Sequence, residues 1–156
     1  MLYLDASALV KRYSSERGSR AVAARFDRDE RIFTSRLTFA EVHSSLGRKF
    51  RAGELNIQAL ARVREEFETD WLFGLSVLDL DNGTMSAISQ LVEQYDLKAG
   101  DAVHLSAAFW LRDTIRLGRI RGRAGESVEF GVADKQLARI ARMCGLKVFD
   151  PEAQNY

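Results

Sequence analysis

The sequence has almost no cysteine or proline: one of each in 156 residues. Cys144 has no partner within the chain, so no internal disulfide staples the fold. It sits in an apolar helical stretch and reads as a reduced core residue of a cytosolic protein. Pro151 stands near the end, and no Pro-, Gly- or Ser-rich linker divides the chain. Long apolar runs are missing too. No stretch approaches the roughly 18 residues of a membrane span. The opening MLYLDAS lacks the basic segment and apolar run of a secretory signal. Net charge is nearly absent, with 23 Lys and Arg against 22 Asp and Glu. Histidine is scarce: His43 and His104 are the only two, and each reads as a packed or hydrogen-bonded helical residue. Membrane, disulfide-rich and disordered classes are therefore set aside, and a cytoplasmic protein is expected.

What is present suits a globular protein. The hydrophobic share is 46% and the charged share 29%, and this length buries enough surface for stability without a structural metal. We expect one domain over 1–156. Short apolar runs at Leu2–Asp5, Arg31–Ser35, Leu75–Leu80, Val128–Val132 and Lys147–Phe149 read as strands buried on both faces. Helical periodicity fills the intervals: from Ala6 onward in ASALVKRY, then Ser19–Asp29, Thr38–Ala52, Asn56–Phe73, Asn82–Tyr95, Gly100–Arg112 and Asp134–Cys144. Asn56 is a predicted N-cap and Gly53 a predicted C-cap. Strands alternating with helices imply an α/β fold with a parallel sheet.

Four acids fall where strands hand over to helices: Asp5 in YLDASALVKRY, Glu41 in SRLTFAEVHSSL, Asp101 in LKAGDAVHLSAA and Asp134 in FGVADKQLARIA. In an open parallel sheet, ligands bind outside the carboxyl ends of the strands. Asp and Glu at helix N-termini also cap and complement the dipole, and that is the ordinary reading for Asp134, Asp101 and Glu41 taken singly. Asp5, closing a buried first strand, needs a partner. Together, four carboxylates in one crevice repel one another unless a divalent cation neutralises them. Mg²⁺ or Mn²⁺ suits such oxygen ligands, and a water activated there attacks a phosphodiester without a protein nucleophile. Ser7 and Thr38 lie within a turn of Asp5 and Glu41, where their hydroxyls would orient a carboxylate or a water. Basic clusters at Lys11–Arg12, at Arg48, Lys49 and Arg51, and at Arg112, Arg116, Arg119, Arg121 and Arg123 suit a substrate with a phosphate backbone.

These four segments resemble the PIN-domain family, and more narrowly the VapC-type toxin ribonucleases of toxin–antitoxin pairs. The likeness runs through the chain in order, and the Asp5 and Asp101 segments are its most specific parts. It implies a three-layer α/β/α sandwich with a five-stranded parallel sheet. It implies a Mg²⁺- or Mn²⁺-dependent endoribonuclease, a homodimer inhibited by a cognate antitoxin. Carried onto this chain, Asp5, Glu41, Asp101 and Asp134 are the acidic quartet, acting as metal ligands and catalytic groups. The family often places a hydroxyl residue directly after the first Asp. Here that place is Ala6, and Ser7 holds the next. Arg116, Arg119, Arg121 and Arg123, in and beside the Gly- and Arg-rich stretch 117–126, are candidates to contact RNA.

Two other readings are weaker. The segment VLDLDNGTM resembles the nucleophile motif of aspartate phosphatases, with Asp79 first and Asp81 next. That motif normally opens its domain, whereas here it lies mid-chain, and Asp81 reads as a helix cap. A catalytically weak PIN-like module that only binds RNA or protein is the non-enzymatic alternative. The intact quartet argues against it.

Overall fold

The structure is a computed structural model that describes residues 1–28, 30–120 and 127–153. Five strands form one parallel sheet: β1 (Leu2–Leu4), β2 (Ile32–Ser35), β3 (Ser76–Leu78), β4 (Glu129–Gly131) and β5 (Lys147–Phe149), in the order β3-β2-β1-β4-β5. β1 lies at the centre. Tyr3 pairs with Phe33 on one side and with Phe130 on the other. The chain adds β2 and β3 to one flank of β1 and β4 and β5 to the other, so the order reverses beside β1. In parallel sheets that reversal opens a crevice at the carboxyl edge.

Helices cover both faces because alternate residues of each strand point to opposite sides. Leu2 and Leu4 join Leu9, Val22, Val42, Leu46, Leu60 and Phe67 in one core cluster. The helical members come from α1 (Ala6–Leu9), α2 (Ser19–Phe26), α3 (Leu37–Arg51) and α4 (Ile57–Thr69). Tyr3 and Phe130 join Leu91, Leu105, Leu111, Leu137 and Ile140 in the other. Its helical members come from α5 (Ile88–Gln94), α6 (Ala99–Arg116) and α7 (Lys135–Met143). The result is the three-layer α/β/α arrangement read from the sequence. A fully buried Leu on either face is worth about 1.5–3 kcal/mol.

Several boundaries differ from the sequence reading. The expected 82–95 helix is α5 alone, preceded by turns over 82–87. Asp81 causes this: its Oδ1 accepts the N–H groups of Gly83 and Thr84, and the Thr84 hydroxyl donates to the Asp79 carbonyl. The backbone is thus satisfied locally, in competition with a helix. α4 stops at Thr69, and a π turn, Asp70–Gly74, replaces the last turn of the helix expected to reach Phe73. α6 runs four residues past the expected Arg112. Gly53 ends α3 as anticipated: at φ 76°, its N–H reaches the Phe50 carbonyl and that of Glu54 reaches Lys49, a Schellman closure. The expected α3 stripe is partial. Val42 and Leu46 are buried, while Phe39 and Phe50 remain exposed. Phe109 and Trp110, too many apolar groups for one stripe, are half-buried against the α5–α7 core. Cys144 is free and half-buried, its Sγ 3.6 Å from the Tyr95 hydroxyl. Among the described residues, no helix is long and apolar enough to cross a membrane.

Candidate active site

Asp5 follows β1 directly and caps α1, with Oδ1 accepting the Ala8 N–H at 2.8 Å. Its backbone N–H donates to the Gly131 carbonyl of the neighbouring strand. The residue is only 4% exposed. Burial pushes its carboxyl up to about 6; His104 and the Ala8 and Ser7 hydrogen bonds oppose the rise, and Glu41 adds to it. The Ser7 hydroxyl lies 2.8 Å from each Asp5 oxygen and accepts the Ala133 N–H at 3.0 Å. Ser7 therefore orients Asp5 and ties α1 to the loop after β4.

Asp134 ends that second loop. Its Oδ1 accepts the Leu137 N–H at 2.8 Å, capping α7, and the residue is exposed. Asp101 lies in the first turn of α6, and because α6 follows α5 with no strand between, it departs from the strand-to-helix placement read from the sequence. Burial raises its carboxyl above the usual range, Asp134 raises it further, and Lys98 and His104 pull it down. The Asp134 charge thus reaches Asp101 across the cleft.

Glu41 departs from the sequence reading. Because α3 begins at Leu37, Glu41 stands in the second turn rather than the first, and dipole or capping chemistry does not explain it. Its Oε2 lies 2.7 Å from Nε2 of His104. Its Oε1 lies 2.8 Å from where a Cβ on Gly100 would stand, so only a glycine admits it there. Thr38 is fully buried, with its hydroxyl 2.7 Å from that of Thr34, which donates to the Leu4 carbonyl. That pair braces β1, β2 and α3 beneath the cleft.

Asp5, Ser7, Glu41, Asp101 and Asp134 line one open cleft of about 790 Å³, together with His104. Lys11, Arg48, Lys49 and Lys98 line it as well. Lys11 is buried and bonded to Glu152 and the Arg17 carbonyl, while Arg48 and Lys98 are exposed. Arg116 is not part of this cleft. It lies fifteen residues beyond Asp101 on the same helix, about 22 Å along the axis, in a separate recess with Arg112 and Lys147. Arg119 follows that helix end, and Arg121 and Arg123 lie outside the described residues. Asp79 and Asp81, the phosphatase-like pair, are exposed and do not line the cleft; Asp79 pairs with Arg36.

Two site residues escape the sequence reading. His104 reads there as merely packed or hydrogen-bonded, yet it joins two elements of the site. Lys98 carries no signal of its own. Spacing offers one for His104, which lies three residues after Asp101 on one helix face.

The donor set fits a hard divalent cation. It is all oxygen, and burial together with neighbouring negative charge works against the ionised forms of Asp5 and Asp101. Among the described residues, no three His, Cys, Asp or Glu groups stand gathered as a coordination shell. The carboxylates surround the cleft, and drawing them onto one ion requires side-chain adjustment.

An α/β protein whose parallel sheet ends, at its order reversal, in a carboxylate-lined cleft with a basic rim belongs to a recognisable class. The chain is a member of the PIN domain family, whose profile matches residues 2–120. Asp5, Glu41 and Asp101 fall within that span, and Asp134 lies beyond it. Ribonuclease VapC45 of Mycobacterium tuberculosis (strain CDC 1551 / Oshkosh) and Ribonuclease VapC49 of Mycobacterium tuberculosis (strain ATCC 25618 / H37Rv) are each 31% identical over 113 residues, which is 72% of this chain and 78% of theirs. Among solved structures, FitAcB from Neisseria gonorrhoeae aligns at a TM-score of 0.67 and 18% identity, over 99% of this chain and 100% of that one. FitAB bound to an IR36 DNA fragment aligns at 0.66 and 18%, over 100% and 99%. At that identity the two structures speak for the fold.

Proposed function

We propose that this chain is a divalent-metal-dependent endoribonuclease and the toxin of a toxin–antitoxin pair. One observation carries the reading: Asp5, Glu41, Asp101 and Asp134 line a single cleft with a basic rim. The names of the two VapC relatives support the ribonuclease part, and the resemblance of the four acidic segments to VapC-type toxins supports the toxin part. The whole chain, 1–156, acts as one PIN domain, works as a cytoplasmic homodimer and is silenced by a cognate antitoxin.

The roles follow from placement. Asp5 is the fixed ligand, oriented by Ser7 and the Ala8 N–H. Asp101 and Asp134, more open to solvent, face the substrate, orient the attacking water and take up its proton. Glu41 completes the set from α3. Lys98 and Arg48 hold the phosphates on either side of the scissile bond. Mg²⁺ or Mn²⁺, when bound, polarises the phosphodiester and lowers the pKa of water. The water oxygen bonds to phosphorus, the bond to the leaving ribose oxygen breaks, and that oxygen takes a proton from solvent water. Attack by water does not use the RNA 2′-hydroxyl, so the products carry no 2′,3′-cyclic phosphate.

The test is incubation of antitoxin-free protein with a generic RNA and Mn²⁺ or Mg²⁺, with and without EDTA, followed by end-group analysis. Metal-stimulated cutting that leaves linear ends supports the reading. RNA binding without cutting under any of these conditions makes the chain a binding module instead.

A further inference from the structure

His104 is not one of the four acids, yet it is bonded to one of them and lies three residues from another. It is 2% exposed and sits on α6 one turn after Asp101. Nδ1 lies 3.0 Å from the Tyr3 hydroxyl, and Nε2 lies 2.7 Å from Oε2 of Glu41. The Tyr3 ring is fixed: it is fully buried in the central strand, stacked on Phe130 with centroids 5.6 Å apart and edge-on to His104 at 6.0 Å.

Donor and acceptor roles along this chain of contacts are constrained. A carboxylate only accepts, so the hydrogen between Glu41 and His104 belongs to Nε2. With the ring neutral, Nδ1 accepts from the phenol O–H of Tyr3; with the ring protonated, Nδ1 donates to the phenol oxygen. In either form Nε2–H faces Glu41, and each polar atom of the buried ring has a partner. Tyr3 lies in β1 and Asp5 follows that strand directly. One rigid segment thus places Asp5 directly and Glu41 through His104.

We propose that His104 is a positioning residue of the active site: held at Nδ1 by Tyr3, it presents Nε2–H to Glu41 and fixes that carboxylate against the bare backbone of Gly100. Without it, Glu41 is a long side chain on a cleft wall, free to rotate away. With it, the carboxylate approaches an incoming cation from one direction. This deepens the proposed hydrolytic reading and rests on it.

Glutamine and asparagine separate the donor's place from its mere presence. In His104→Gln the amide nitrogen falls where Nε2 stood. In His104→Asn it falls where Nδ1 stood. We expect His104→Asn to weaken Mn²⁺ binding, measured by calorimetry, and kcat for RNA cleavage, each by roughly 10–100-fold. His104→Gln should stay within a few-fold of the unaltered protein in both. Long-range nitrogen–proton spectra of the unaltered protein at pH 8 should show His104 with a proton on Nε2. A role confined to stapling α3 to α6 would lower Tm in the variants and leave Mn²⁺ affinity of the folded protein unchanged. That result, equal losses in the Gln and Asn variants, or a proton on Nδ1 alone would each overturn the proposal. Failure of the hydrolytic reading looks different: the unaltered protein would neither bind Mn²⁺ nor cut.

Discussion

The Ser7 hydroxyl lies 2.8 Å from both carboxylate oxygens of Asp5 and receives the Ala133 N–H from across the sheet edge. One hydroxyl thus orients the most buried acid and fixes the loop that carries Asp134. Replacing Ser7 with Ala removes the donor to Asp5 and leaves the Ala133 N–H without its acceptor. We expect a loss of about 1 kcal/mol in urea unfolding and a fall in RNA cleavage of roughly tenfold or more. Ser7→Thr, which keeps the hydroxyl, should recover much of both. Cleavage by Ser7→Ala at the unaltered rate would remove Ser7 from the site.

The buried Asp5 carboxyl gives the metal-free protein a distinctive pH response. Its folded value of about 6 lies above the ordinary aspartate value, so the folded state binds more protons than the unfolded one between about pH 4 and 6. Stability therefore falls as pH rises through that window, by an amount on the order of 3 kcal/mol from Asp5. Asp101, also shifted upward, adds in the same direction. Asp5→Asn keeps an oxygen for the Ala8 N–H and removes the charge. The Asp5→Asn, Asp101→Asn double variant should unfold at a higher Tm than the parent at pH 7, with the advantage shrinking toward pH 4. Calorimetry in EDTA at several pH values checks this, and a lower Tm at pH 7 would contradict it.

Gly100 is required by its neighbour rather than by its backbone angle. A Cβ there would stand 2.8 Å from Glu41 Oε1, and a flexible carboxylate is what must yield. Gly100→Ala should keep the fold and gain up to about 1 kcal/mol of helix propensity. It should also displace Glu41 and lower cleavage. A Tm held or raised with activity lost is the signature, and full activity would show that Glu41 need not stand where it does.

The cleft cations and the distant arginines are separable by salt. Lys98→Ala and Arg48→Ala should each lower the slope of log affinity against log salt for single-stranded RNA by about 0.7, and Arg116→Ala should leave it unchanged. An inactive, metal-free form of the protein suffices for this binding measurement. A slope that responds to Arg116 alone would move the RNA path to the far end of α6.

Legibility in the sequence follows the range of the interactions. The strands are readable because parallel strands buried on both faces are short apolar runs. Asp134 and Asn56 are readable as caps because an N-cap bonds within its own first turn. The 82–95 segment misleads because the Asp81 and Thr84 side chains satisfy the backbone locally, which apolar periodicity does not register. Asp5 and Asp134 are found by their place after β1 and β4, and Asp101 by its place at a helix start, but what holds each acid is not. The Glu41–His104 bond joins residues 63 apart, and the Ser7–Ala133 bond joins residues 126 apart; nothing in either local segment announces its partner. Thr38 illustrates the same point in reverse: proximity in sequence suggests Glu41, and the fold turns its hydroxyl to Thr34.

Parallel assays of Mn²⁺ binding and RNA cleavage, on the unaltered protein and on the Asp5→Asn, Asp101→Asn variant, put the shared carboxylate site to its plainest test. Binding and cutting by the former are expected, with loss of both in a variant that remains folded. A folded variant that still binds the ion and cuts RNA would show that these carboxylates are not the site.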